Sequence, residues 1–200
     1  LPEKEVEFAE IVMNEISMAE NVVVLMENPI EFISDDLGMI NSRYSDHSPV
    51  FPADESMLIF TSRRKPMLDS EKADDGQYYE DIYVSDNIDG NWSNPQQLKG
   101  AVNTNGHEAT VGLSVDGQEL FIYKPDDDGS IWVSHLNGDE WAVPKKLGKN
   151  VNTRFRETHA SLSANGKQLY FTSDRKGGYG GLDIYVSDRM PDGTWGEARN

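Results

Sequence analysis

The chain has 200 residues, with 35 acidic against 18 basic side chains, a formal net charge of −17 and no cysteine. That charge disfavours non-specific nucleic-acid binding, which rests on basic patches, and docking on an anionic membrane leaflet. The lack of cysteine excludes disulfides, thiolate metal sites and a Cys nucleophile, while 37% hydrophobic residues suffice for a packed core.

Residues 1–28 place Phe8, Ala9, Val12, Ile16, Ala19 and Val23 at helical spacing, with Glu and Asn between them. Asn28-Pro29 ends the pattern, because the residue before a proline avoids the helical region. The spacing predicts one long helix or two shorter ones, read as a linker or the end of a helical repeat. No apolar run approaches the length of a membrane-spanning helix. Residues 29–36 echo the end of a later repeat: Pro29, Leu37-Gly38 and Ile40-Asn41 match Pro144, Leu147-Gly148 and Val151-Asn152. They read as an outer strand donated by the N-terminal segment.

From Asn41 onward one phrase is written three times. The third copy runs Asn152-Thr153, Glu157, Leu162 to Ser173, Asp183-Ile184-Tyr185-Val186-Ser187 and Asp192-Gly193-Thr194-Trp195. In every copy 13 positions separate the Asn (Asn41, Asn103, Asn152) from a turn residue (Asp54, Asp116, Asn165). A period near 50 signals a repeat architecture. Each copy holds four short apolar runs separated by turn residues, which read as strands. Asp-Gly and Asn-Gly between the runs suit type I′ hairpins, whose central residues both need positive φ. A four-stranded antiparallel sheet cannot cover both its faces alone, and radial stacking of such sheets makes a β-propeller. The expected fold class is therefore all-β, a propeller of four-stranded blades spanning residues 29–200, after a helical segment at 1–28. The blades are expected at about 41–100, 101–150 and 151–200, and the recurrent Trp92, Trp141 and Trp195 to pack between them. Three copies fall short of a closed ring, which predicts an incomplete propeller that is part of a longer chain.

The search for chemistry removes most candidates. Gly112-Leu113-Ser114-Val115-Asp116 lacks the closing glycine of a nucleophile elbow, and Ser114 occupies a blade position shared with Ser163 and Pro52. His47, His107, His135 and His159 fall at unlike repeat positions and form no zinc motif. The Lys124–Gly129 stretch lacks the first and last ligands of an EF-type calcium loop, and Asp192-Gly193 lacks the spacing of a sialidase-type Asp box. Gly177–Gly181 has no Gly-Lys-Ser/Thr ending of a phosphate loop. Asp46, Glu108 and Glu157 recur at the start of the inner strand, so they read as a structural hydrogen bond of each blade, as do Asp81 and Asp183 before Ile-Tyr-Val-Ser. The copies disagree most at the insertion Arg63–Tyr79, a charged loop on a rigid scaffold. Arg63, Arg64, Lys65, Tyr78 and Tyr79 are the candidate partner-binding residues. No catalytic, cofactor-binding or metal residue is predicted.

The strings Tyr170-Phe171-Thr172-Ser173-Asp174-Arg175, Gly177–Gly181, Asp183-Ile184-Tyr185 and Asp192-Gly193-Thr194-Trp195 resemble WD40-like propeller repeats related to TolB. Leu37-Gly38, Asn41-Ser42, Tyr44, Asp46 and Met57 to Arg64 resemble OmpA-family envelope proteins of the Bacteroidota. In those, tetratricopeptide helices precede the propeller and a peptidoglycan-binding domain follows it. The resemblance implies a periplasmic, outer-membrane-associated location and a non-enzymatic scaffold that binds envelope proteins. Peptidoglycan binding would require a domain outside these residues. The alternatives are the propeller of a hydrolase or peptidase whose catalytic part lies elsewhere, and a small-ligand or calcium sensor.

Overall fold

A computed structural model describes residues 3–33, 36–66 and 71–200. The chain divides into two units, residues 1–36 and 37–200, each considered by itself. In the first, Glu3–Met26 forms a single helix, α1, that stops two residues before Asn28-Pro29. Residues 29–33, expected within an outer strand, take no regular structure, and Ser34 and Asp35 lie outside the described residues.

The second unit is an incomplete β-propeller of three antiparallel blades. Blade one holds β1 (Asp46–Val50), β2 (Met57–Ser62), β3 (Asp81–Ile88), β4 (Asn91–Trp92) and β5 (Gln96–Gln97), with the last two both paired to β3. Blade two repeats this with β6 (Ala109–Leu113), β7 (Glu119–Lys124), β8 (Ser130–Asn137), β9 (Glu140–Trp141) and β10 (Lys145–Lys146). Blade three holds β11 (Glu157–Leu162), β12 (Gln168–Ser173) and β13 (Asp183–Asp188). Its outermost segment forms no ladder with β13 but pairs at the isolated bridges Arg189↔Trp195 and Val186↔Arg199.

The fourth strand is thus split, where the repeat pattern predicts one continuous run. Pro95 and Pro144 sit inside the split and have no N–H to give a ladder. A serine bridges the gap in every blade. The hydroxyls of Ser85, Ser134 and Ser187 donate to the carbonyls of Ser93, Ala142 and Gly196, each at 2.6 Å. This gives the last residue of the Ile-x-Val-Ser string its reason for recurring.

The turn chemistry also departs from expectation. Type I′ geometry occurs at Asp89-Gly90, where both residues have positive φ. At Ser114–Gly117 and Ser163–Gly166 only the glycine does, and its N–H bonds the serine carbonyl three residues back. That is a type I turn followed by a left-handed residue, the three-residue hairpin pattern. The first-position serine explains the choice. Ser114 Oγ donates to Asp116 and accepts the N–H groups of Gln118 and Glu119. Ser163 makes the matching bonds in blade three.

The core lies in layers between blades. Ile59, Ile82, Leu98 and Val102 of the first blade region meet Leu120, Ile122 and Trp141 of the second. Phe121, Ile131, Leu147 and Val151 then meet Leu169, Phe171, Tyr185 and Trp195 of the third. A smaller cluster of Ile40, Leu58, Phe60 and Tyr83, flanked by Trp92, covers the far face of blade one. Trp141 and Trp195 pack between blades as expected, whereas Trp92 is half-buried beside the cluster on the far face of blade one. In blade three the positions equivalent to Ile59 and Ile82 are Tyr170 and Ile184, which are 42% and 67% exposed. The inner strands approach closely: a Cβ on Gly112 would lie 2.7 Å from the Ala160 carbonyl oxygen of the next blade.

Candidate functional site

The acids that recur at the start of each inner strand are structural. In blade three the Glu157 carboxylate is fully buried and accepts from Thr153 N and Oγ1, each at 2.9 Å, from Ser173 Oγ at 2.7 Å, and from Arg175 Nη2 at 3.2 Å. Arg175 also stacks over Phe171 and Tyr185 and donates to the carbonyls of Asn150 and Val151. Asp46 sits alike in blade one. Ser62, Arg64 and Ser42 donate to it, and Arg64 stacks over Phe60 and Tyr83 while reaching the Ile40 carbonyl. Burial pushes the Asp46 carboxyl upward, but these bonds outweigh it and hold the group below the usual carboxylate range. In blade two the aligned arginine position is Asp126, and Lys124 supplies the cation from two residues earlier, with Nζ 2.8 Å from Glu108. In each blade these fixed donors satisfy the carboxylate, which is fully buried in blades two and three and half-buried in blade one.

Two of the recurrent asparagines, Asn103 and Asn152, are blade clamps. Asn103 Oδ1 accepts the Ile82 N–H at 2.7 Å and its Nδ2 donates to the Ile82 carbonyl at 3.0 Å. Asn152 does the same to Ile131, at 2.8 and 2.7 Å, and adds a bond to the Leu147 carbonyl at 2.9 Å. Each side chain therefore ties the start of one blade to the third strand of the blade before it.

The histidines, expected to be ordinary polar residues, are spread among carboxylates. His47 and His107 flank the two oxygens of Glu80 at 3.4 and 3.2 Å. His135 lies 3.7 Å from Glu119, and His159 bonds Thr158. Among the described residues no cluster of His, Asp and Glu could hold a metal ion.

The insertion is where blade one departs from its siblings. Lys72 and Tyr78 pair across a tight turn closed by the Ala73–Gly76 and Gln77–Ala73 bonds. Of the five candidate residues, Arg63 holds this turn: its Nε donates to the Tyr78 carbonyl and its two terminal nitrogens fork onto Asp75 at 2.7 and 2.9 Å. Arg64 belongs to the buried Asp46 cluster. Tyr78 packs edge-on against Tyr44 under the Lys72 ammonium. Lys65 is exposed, and Tyr79 packs edge-on against His107. Met67 to Ser70, within the insertion, lie outside the described residues.

Tyr79 opens onto a cleft of about 550 Å³ between the insertion and the junction of blades one and two, lined also by Glu71, Asp81, Gln97, Asn103 and Asn105. Asp81, expected from the repeat pattern to be a structural acid like Asp183, lines this cleft. It aligns with Asp183 but behaves in the opposite way. Asp183 is half-buried and is held below the usual range by the N–H groups of Gly180 and Tyr179. Asp81 is 6% exposed. Burial pushes its carboxyl up to about 6, with the Glu108 charge adding to this and a 2.9 Å bond from Gln97 opposing it. A buried carboxyl with a raised pKa at the wall of a cleft is a candidate recognition group. Its signal in the sequence was the insertion above it rather than the residue itself.

No protein-family profile matches the chain, and no curated protein matches it. Solved structures do. A TolB crystal structure from Acinetobacter baumannii aligns with a TM-score of 0.50 and 20% identity over 80% of this chain and 33% of that one. The Cps50 (Swd1) β-propeller domain of Myceliophteria thermophila aligns at 0.46 and 14% identity, over 78% of this chain and 41% of that one. A putative TolB from Agrobacterium tumefaciens aligns at 0.44 and 17%, over 74% and 59%. This chain spans about a third of the Acinetobacter protein's length. The first of these likenesses supports the propeller architecture read from the repeats, and the chain is an incomplete propeller with a short N-terminal helix.

Proposed function

We propose that the chain is a non-enzymatic, protein-binding scaffold of the bacterial cell envelope, periplasmic and associated with the outer membrane, that engages an envelope protein through the insertion cleft of blade one. The observation that carries the reading is the contrast between blades. Asp46, Glu108 and Glu157, the recurrent serines, and Asn103 and Asn152 are tied up in internal bonds of the blades, whereas the insertion of blade one borders a cleft that carries an aromatic side chain, Tyr79, and the buried carboxyl of Asp81. The envelope location rests on the likeness of the blade strings to TolB-related repeats and to OmpA-family envelope proteins. A rigid sheet scaffold with a decorated loop suits binding better than chemistry. The test is affinity capture from envelope extracts with the wild-type chain and with Tyr79→Ala and Lys65→Glu variants. A protein retained by the wild type and lost from both variants supports the cleft as its site. Equal recovery by all three places binding elsewhere, and no retained protein sinks the scaffold reading.

A further inference from the structure

A second place where the blades disagree lies between blades two and three. The outer strand of blade one carries Gln96-Gln97 where blade two carries Lys145-Lys146, and Gly100 is replaced by Lys149. These lysines sit in a chain of net charge −17, so a local cationic surface runs against the overall composition. With Arg189 they wall a groove of about 670 Å³ whose floor includes Trp195. Lys145 and Lys149 are exposed, and among the described residues neither makes an ion pair. Arg189 is held in place from two sides: its guanidinium lies 4.7 Å over the Trp195 ring, and Nη2 bonds Glu119 at 2.7 Å. Its Nε is buried with no acceptor among the described residues. Of the groove's two carboxylates, Glu119 is thus already paired, and Asp192 accepts from Thr194 N and Oγ1 within its own turn.

The groove therefore offers two free ammonium groups beside an oriented guanidinium, lined by an aromatic side chain. We propose that it docks an acidic peptide segment of a partner protein, with Asp or Glu carboxylates on Lys145 and Lys149. An edge strand does often carry lysine to discourage sheet-to-sheet pairing. That role accounts for Lys145 but not for Lys149, which lies beyond the strand. A peptide is favoured over a nucleic acid because a long polyphosphate would meet the net negative field of the whole chain, whereas a short acidic segment need touch only the groove. This surface is separate from the insertion cleft, so either site can fail alone.

The experiment is fluorescence anisotropy on the full chain with a labelled ten-residue peptide of alternating Glu and Gly, beside its Gln-for-Glu counterpart. The expected result is binding of the Glu peptide only, weakened about tenfold or more by Lys145→Glu/Lys149→Glu and by raising salt well past the screening range. A Lys145→Gln/Lys149→Gln variant, which keeps the side-chain length, should fall between. Both variants alter exposed residues, and an unchanged thermal melt checks their folding. No binding of the Glu peptide, equal binding by the variants, or tighter binding of a single-stranded oligonucleotide of equal charge would each overturn the proposal.

Discussion

Replacing Asn152 by alanine tests the blade clamp most directly. The side chain is 5% exposed and makes three bonds to the preceding blade. The Ile131 carbonyl keeps a second donor, the Leu147 N–H at 3.0 Å. The Ile131 N–H and the Leu147 carbonyl lose the asparagine partner. An orphaned buried group costs about 1–3 kcal/mol, so the loss should be about 3 kcal/mol. For a chain of this size that lowers Tm by roughly 6–12 °C. Asn103→Ala breaks two bonds rather than three, so it should cost about 2 kcal/mol. Urea denaturation gives both values, with exposed Asn91→Ala as the neutral control. Asn152→Asp keeps an acceptor but removes the two donated bonds and buries a charge beside carbonyls, so it should not rescue. A loss below about 1 kcal/mol for Asn152→Ala, or a larger loss for Asn103→Ala, would refute the clamp.

Gly100→Ala should destabilise the junction of blades one and two by more than about 2 kcal/mol, because Gly100 has φ +107° and a Cβ would lie 2.1 Å from the Trp141 carbonyl oxygen. Thermal melting checks it, and a neutral substitution would mean that the approach of these segments is looser than described. Asp81→Asn should stabilise the protein at neutral pH. The folded carboxyl titrates near 6, above its ordinary value of 3.8, so the native state holds the proton that the unfolded chain has already released. The cost of its charge is absent below pH 3.8, grows as pH rises to about 6 and is complete above that. The variant's gain should follow the same course and level off at about 1–2 kcal/mol, a value reduced from the full two-unit shift for residual solvation. A gain that is flat across pH 4 to 8 would contradict the burial of that charge.

The repeat made the fold legible. The Asn-to-turn spacing, the Ile-x-Val-Ser string and the Trp after each second turn recur because each copy builds the same antiparallel blade. What stayed hidden were properties set by neighbours in space. Asp81 and Asp183 look alike in sequence, yet one lies under the insertion and the other against the backbone of a glycine loop. Arg63 and Arg64 read as a free basic pair, yet one is forked onto Asp75 and the other stacked on Phe60 and Tyr83. The turns were misjudged for a local reason. A serine at the first turn position binds the loop backbone and selects a three-residue hairpin over the two-residue type that Asn-Gly suggests. The groove between blades two and three drew no notice because three lysines in a surface segment carry no pattern until Arg189 and Trp195 are brought beside them.

The cation beside each buried carboxylate makes the blades alike in outline but not exchangeable piece by piece. Blades one and three carry Ser62-Arg63-Arg64 and Ser173-Asp174-Arg175, while blade two carries Lys124-Pro125-Asp126. Moving one residue between copies would put two cations on one carboxylate or leave another with none. Recombination among repeats, whether by duplication or by deliberate shuffling, is therefore tolerated only in blocks that take positions 124 and 126 together. A functional change confined to one blade must respect that unit of exchange.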